Sequence, residues 1–161
     1  MHMLRHSDRF AVRHEILLTK AEPGPYEAEA RSLVIPLHRL PLRDGRLRWF
    51  ANFVTLLKKQ GPYAAVHSHG APIFTAPVLA AAKAANVPIR IAHSHSARSM
   101  GSDYPLKHRI GRRVAMLWLK RVATRRIGIT EAAIKAIAGS NWRRDPARSV
   151  LIFGFYFCAK V

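Results

Sequence analysis

The sequence predicts an α/β domain built on a doubly wound parallel sheet. Short apolar runs alternate with helical runs along the chain, the order that parallel strands and crossover helices require. The runs at 64–66 (AAV) and 87–92 (VPIRIA) are continuously apolar rather than alternating, as in strands covered on both faces. The chain's 161 residues, 49% of them hydrophobic, suffice for one domain with a core.

Residues 10–19 (FAVRHEILLT) read as a strand with Val12, Ile16 and Leu18 toward the core. A domain of this class normally has a strand and a helix before that point, and only nine residues precede it, so a first strand is expected to be missing. Residues 21–26 (AEPGPY) are a Pro/Gly loop, 27–33 a short helix, and 34–40 (VIPLHRL) a short strand that Pro36 confines to an edge. Asp44-Gly45 opens a helix to Gln60, with Leu47, Phe50, Val54 and Leu57 at helical spacing and Gly61-Pro62 as its stop. Arg46, Arg48, Lys58 and Lys59 form its solvated face.

Residues 63–67 are a strand, 72–85 an alanine-rich helix able to pack closely, and 87–92 the next strand. A Gly/Ser loop leads into the most basic element of the chain. Lys107, Arg109, Arg112, Arg113, Lys120, Arg121, Arg125 and Arg126 occur there without a single acid, and Leu106, Ile110, Val114, Leu117 and Trp118 form an apolar stripe. Residues 126–130 (RIGIT) are a buried strand. Thr130 caps a short helix that Gly139 closes. A polar loop at 141–148 and a strand at 150–153 follow, and the chain then stops abruptly, as if cut a second time.

A formal net charge of +18 predicts attraction to polyanions: nucleic acid, anionic lipid headgroups or phosphorylated substrates. The lone Cys158 excludes an internal disulfide framework or Cys-rich zinc module and fits a reducing compartment. No run approaches the ~20 apolar residues of a membrane span, and residues 1–10 lack the apolar core of a signal peptide. The expectation is a cytoplasmic protein.

Two triplets, His67-Ser68-His69 and His93-Ser94-His95, close consecutive strands. Parallel neighbours point their carboxyl ends the same way, and open α/β sheets bind ligands outside those ends. All four histidines are therefore expected on one crevice. Residues two apart share a strand face, so each pair could chelate a metal, as in some metal-dependent hydrolases. No Asp, Glu or Cys lies close in sequence to complete a hard or mixed site, and no metal or cofactor is expected. The imidazoles could instead donate hydrogen bonds to phosphate or sugar oxygens, or some could simply cap strand ends. Gly70 precedes a helix N-terminus, where free N–H groups favour an anion. There is no GxGxxG, P-loop or GxSxG motif. The basic helix suits an anionic membrane surface better than nucleic acid, since it lacks aromatics interleaved with charge.

Taken together, YAAVHSHG, a helix, NVPIRIAHSHS, a basic helix, RVATRRIGITEAA and NWRRDPARSVLIFGF resemble the N-terminal half of family 4 retaining glycosyltransferases, in their bacterial exopolysaccharide branch. The likeness runs over residues 10–157. It implies one Rossmann-like half of a GT-B enzyme: residues 1–150 as an incomplete acceptor-side domain, and 151–161 as the start of the link to an absent donor-binding domain. It further implies a nucleotide-sugar donor, and a glycan or lipid-linked acceptor in cell-surface polysaccharide synthesis. A histidine closing the VPIRIAHSHS strand matches the family's active-site histidine, with His95 preferred and His93 as the other candidate. His67, His69, Gly70 and Ser96 would line the substrate cleft. Lys107, Arg109, Arg112, Arg113, Lys120 and Arg121 match a region that leans on the inner face of the cell membrane in similar enzymes.

The glycine-rich turn after the family's first strand, its aspartate near Tyr156 and its paired C-terminal glutamates have no counterpart here, so the chain alone is expected to be inactive. The alternative is a non-catalytic basic module for anionic membrane or nucleic acid.

Overall fold

The computed structural model describes residues 12–42, 45–95, 105–144 and 149–151. These form two compact units, divided within one helix between Phe53 and Val54.

In the first unit, β1 (Ile16–Leu18) pairs in parallel with β2 (Leu37–Arg39), Ile16 opposite Leu37. The strand expected at 10–19 is shorter than its apolar pattern suggested, and Val12, Ile16 and Leu18 are only half-buried. Helix α1 (Glu27–Ser32) joins the strands. Arg39 fastens the loop before it, donating from Nη1 to the carbonyls of Lys20, Ala21 and Glu22 and from Nη2 to Glu27 Oε2 at 2.5 Å. Glu27 also accepts from the Gly24 amide at 2.8 Å. That backbone bond first and Arg39 second hold its carboxyl below the usual carboxylate range, which keeps the ion pair charged.

Helix α2 (Arg46–Gln60) buries Trp49, Phe53 and Leu57, a strict i, i+4, i+8 row. The sequence placed Leu47 on that row, but Leu47 is 88% exposed and Phe50 and Val54 are half-buried. Trp49 decides the rotation: its ring packs at 5.2 Å from Phe53 and its Nε1 donates to the Leu40 carbonyl at 3.0 Å, satisfying a group that burial would otherwise leave unpaired.

The second unit carries a four-stranded parallel sheet in sequence order: β3 (Ala65–His69), β4 (Ile89–Ser94), β5 (Arg125–Gly128) and β6 (Ser149–Leu151). The crossovers are α3 (Pro72–Ala84), α4 (Leu106–Val122) and α5 (Glu131–Ala138). Strands added in one direction by crossovers of one hand put every helix on the same face. Three contacts identify that face. Ser68 Oγ meets Thr75 of α3 at 3.4 Å; Ala92 joins the core of Leu79, Ala115, Leu119, Ile134 and Ile137; and a Cβ on Gly128 would stand 2.6 Å from the Ile134 Cβ. Only glycine lets α5 come so close to β5.

The opposite sheet face, with Ile91, His93 and Ile127, is half-buried, so burial alternates along β4 and β5.

Thr130 caps α5 as expected, its Oγ1 accepting from the Ala133 amide at 3.1 Å, and Gly139 ends it at φ +89°. The polar loop after it contains a turn of 3-10 helix, Trp142–Arg144, with Trp142 buried. Arg90 Nε donates to the Val122 carbonyl at 2.7 Å and Arg126 Nη2 to that of Lys120 at 3.4 Å, so both cations sit at the carbonyl end of α4. The basic helix thus stops at Val122, and Arg126, only 6% exposed, belongs to the interior rather than the basic surface.

Candidate functional site

The parallel ladder sets His69 directly opposite His93. Alternation along each strand then places His67 and His69 of β3, and His93 and the following His95 of β4, on the same sheet face. All four rings meet there, as the triplet spacing predicted. Centroids of His67 and His93 lie 5.2 Å apart with planes inclined 8°, and those of His93 and His95 lie 4.2 Å apart. His69 stands 4.8 Å from His93 and 5.1 Å from His95.

Two hydrogen bonds tie the rings across the strands: His67 Nε2 to His93 Nδ1 at 3.1 Å, and His69 Nδ1 to His95 Nε2 at 2.8 Å. Each needs one donor and one acceptor nitrogen, so neither pair can be doubly protonated.

The electrostatics agree. Burial first, then the neighbouring imidazoles, push His67 down from 6.5 to about 3 and His93 to about 4. His69, with an exposed outer edge but three rings around it, is lowered by burial and by His95. At neutral pH His67, His69 and His93 are uncharged, so each offers one N–H donor and one lone pair. His93 Nε2 is buried without a hydrogen-bond partner among the described residues. One ring nitrogen from each of His67, His69 and His93 falls within 4.8 Å of the others, and no carboxylate or thiol among the described residues joins that group.

Gly70 turns the chain out of β3 at φ +145°, donating its amide to the His93 carbonyl at 3.1 Å, while its own carbonyl accepts from Thr75 at 3.4 Å. The turn is locked to both strands' ends beside the imidazoles. Helix α3 then starts with Pro72 and no side-chain cap. Ser96, the remaining expected cleft residue, lies outside the described residues, as do Cys158 and Tyr156.

On α4 the structure turns the expected apolar stripe outward. Ala115, Leu119 and Val122 face the core, whereas Leu106, Ile110, Val114, Leu117 and Trp118 are 50–67% exposed. Lys107, Arg109, Arg113, Lys120 and Arg121 are exposed as well and Arg112 half-buried. Arg112, Arg113, Met116, Leu117 and Lys120 line a shallow depression on this surface. No helix among the described residues is long and apolar enough to cross a membrane.

Sequence inspection missed Gly128 and the inward use of Arg90. A lone glycine inside a strand run was the available signal for the first; the second had none.

The sequence pattern of the glycosyl transferase 4-like domain family matches residues 1–152. The chain is 32% identical over 98 residues to a Bacillus subtilis (strain 168) protein named "Putative glycosyltransferase EpsF", an alignment covering 60% of this chain and 25% of that protein. The chain thus spans about a quarter of the length of the curated relative it matches. No solved structure matches it at comparable stringency. With nearly its whole length matched and a parallel α/β sheet beneath the match, the chain belongs to the glycosyl transferase 4-like domain family.

Proposed function

We propose that this chain is the acceptor-side Rossmann-like part of a retaining, GT-B type glycosyltransferase. It would act in cell-surface polysaccharide synthesis, passing a sugar from a nucleotide-sugar donor to a glycan or lipid-linked acceptor. The observation that carries this reading is the convergence of four imidazoles at the carboxyl edge of β3 and β4, where an open α/β sheet receives its ligand. Neutral imidazoles can donate to and accept from sugar hydroxyls without attracting a counter-ion.

In such a transfer the bond from the anomeric carbon to the diphosphate breaks and a bond to the acceptor oxygen forms, with the acceptor proton leaving on the diphosphate. His95, at the exposed end of the array, or His93 beside it would hydrogen-bond the donor sugar as this charge develops. His67, His69, Gly70 and Ser96 would line the acceptor side. In the complete transferase, His95→Ala should lower kcat by about 100-fold and change the acceptor KM little; an unchanged kcat removes His95 from the site. Donor binding is assigned to another domain, so the chain alone should transfer no sugar from UDP-glucose, and transfer by it unaided overturns that division.

The exposed stripe of α4, flanked by Arg109, Arg113 and Lys120, supports a second element of the proposal: a peripheral position on the anionic inner face of the cell membrane, where a lipid-linked acceptor resides. Trp118 is the only aromatic on that helix, which gives no stacking platform for nucleic acid. The same surface would serve a non-catalytic membrane-binding module if transfer fails.

A further inference from the structure

We propose that Arg143, backed by Lys135, is a binding site for a phosphate group at the rim of the crevice, beside the end of β5. None of its residues is assigned to the sugar above, and it offers charge where the imidazole array is neutral. The anion site stands on its own geometry. Only the identity of the phosphate-bearing ligand, the donor diphosphate or a lipid-linked acceptor, rests on the proposed function.

Its place is set by the sheet. Ser94 of β4 stands opposite Gly128 of β5, and the Ile129 amide donates to the Ser94 carbonyl at 3.3 Å, so β5 leaves the sheet one strand spacing, about 4.8 Å, to the side of His95. Two residues later Glu131 opens α5, on the edge where this class of sheet receives its ligand. Glu131 Oε1 accepts from Lys135 Nζ at 2.9 Å and from Arg143 Nη1 at 3.0 Å. The Arg143 bond first and the Lys135 bond second hold its carboxyl down at about 2, so it is an anion at neutral pH. One carboxylate faces two cations, and one positive charge is left over.

A second contact fixes the guanidinium. Arg143 Cζ lies 4.6 Å from the centroid of the Trp142 ring, and Trp142 is 9% exposed, anchored in the cluster of Leu119, Ile134 and Ile137. Trp142 Nε1 is buried without a hydrogen-bond partner among the described residues. An unpaired indole N–H is a cost that phenylalanine would not carry; what the indole adds is the strongest cation-binding face of any side chain. With its ring contact to Trp142 and its Nη1 on Glu131, the 62% exposed Arg143 side chain is held in one place while its other N–H groups have no partner among the described residues. A side chain already ordered by two contacts loses little further freedom on binding, and a planar guanidinium matches two phosphate oxygens at once.

The test titrates the chain with inorganic pyrophosphate by calorimetry in about 0.15 M sodium chloride, which screens the diffuse attraction of a chain carrying +18. One equivalent should bind with a Kd of about 100 µM. Arg143→Gln should weaken this by about 10-fold, and Arg143→Lys, which keeps the charge and loses the fork, by about 5-fold. Lys135→Gln should weaken it by about 3-fold, because Glu131 then cancels Arg143. Arg48→Gln and Lys59→Gln take one charge each from the exposed face of α2 and should change it by less than about twofold. Full affinity in Arg143→Gln overturns the site, as does an equal loss in Arg48→Gln or full affinity in Arg143→Lys. Geranyl diphosphate, a soluble lipid diphosphate, and UDP then separate the two sources: the one whose binding depends on Arg143 is the ligand, and independence of both overturns a substrate site. The titrations involve no sugar transfer, so a failed transfer assay leaves them standing, and unchanged affinity in Arg143→Gln leaves the transfer assay untouched.

Discussion

The half-open face of the β3–β4 edge and the outward face of α4 belong to the same unit and treat polarity in opposite ways. The first gathers four titratable rings and keeps at least three of them uncharged, by burial first and by crowding them together second. The second gathers five exposed cations and spaces them among exposed Leu, Ile, Val and Trp side chains. Neutral nitrogens with lone pairs suit a small ligand that needs directional bonds; spread cations over an apolar surface suit a large, soft, anionic partner. The difference lies in what each backbone allows. Adjacent strands place partner side chains about 5 Å apart, close enough for rings to share protons, whereas a helix fans its side chains outward where water screens them.

The sharpest way to break this contrast is to ask which side of α4 faces the core. Leu119 is fully buried and Leu117, two residues earlier, is 54% exposed. Leu119→Ala should cost about 3 kcal/mol of stability and Leu117→Ala less than about 0.5 kcal/mol, measured by urea unfolding. Equal costs, or the reverse order, would mean that the exposed stripe is the core stripe and that α4 presents no apolar surface outward.

That rotation is also where the sequence was least legible. Both strands' histidines were readable because a strand has only two faces and the ladder register follows once β3 and β4 are neighbours. The α/β class, Thr130 and Gly139 were readable for the same reason, since short-range chemistry decides them. On α4, by contrast, two apolar rows exist: Ala115, Leu119 and Val122 on one side, and the larger Leu106, Ile110, Val114, Leu117 and Trp118 on the other. Hydrophobic weight favours the second row. The core takes the first: Ala115, Leu119 and Val122 join Ala76, Leu79 and Ala92 in one buried cluster. Which of two apolar rows turns inward is settled by those tertiary partners, and single-sequence periodicity does not carry them. Likewise on α2, Trp49 rather than Leu47 is buried, its ring packed on Phe53 and its Nε1 donating to the Leu40 carbonyl.

A smaller effect sharpens the cationic side. If α4 rests on anionic lipid, each exposed cation near the surface contributes about 1 kcal/mol. Arg113→Gln with Lys120→Gln should therefore weaken binding to vesicles rich in phosphatidylglycerol by about 30-fold at low salt, with little change in thermal stability. Binding to neutral phosphatidylcholine vesicles should be weak for both proteins. Equal binding of parent and variant to the anionic vesicles would remove lipid charge from the account of this face.

The remaining effect belongs to the histidine edge and reads its burial directly. In the unfolded chain an imidazole takes its proton near pH 6.5, whereas in the folded chain His93 resists until about 4 and His67 until about 3. Between those values the unfolded state binds more protons, so acidification favours unfolding. The contribution is whole above pH 6.5 and is lost progressively as the pH falls through that window. The melting midpoint should drop by about ten degrees on going from neutral pH toward pH 5. Replacing His67 and His93 together by Gln should flatten that slope even if it lowers the midpoint at every pH, because an amide does not titrate. A slope that survives the replacement of His69 as well would locate the acid sensitivity elsewhere. The four rings would then be solvated side chains that happen to share an edge, and the contrast with α4 would vanish.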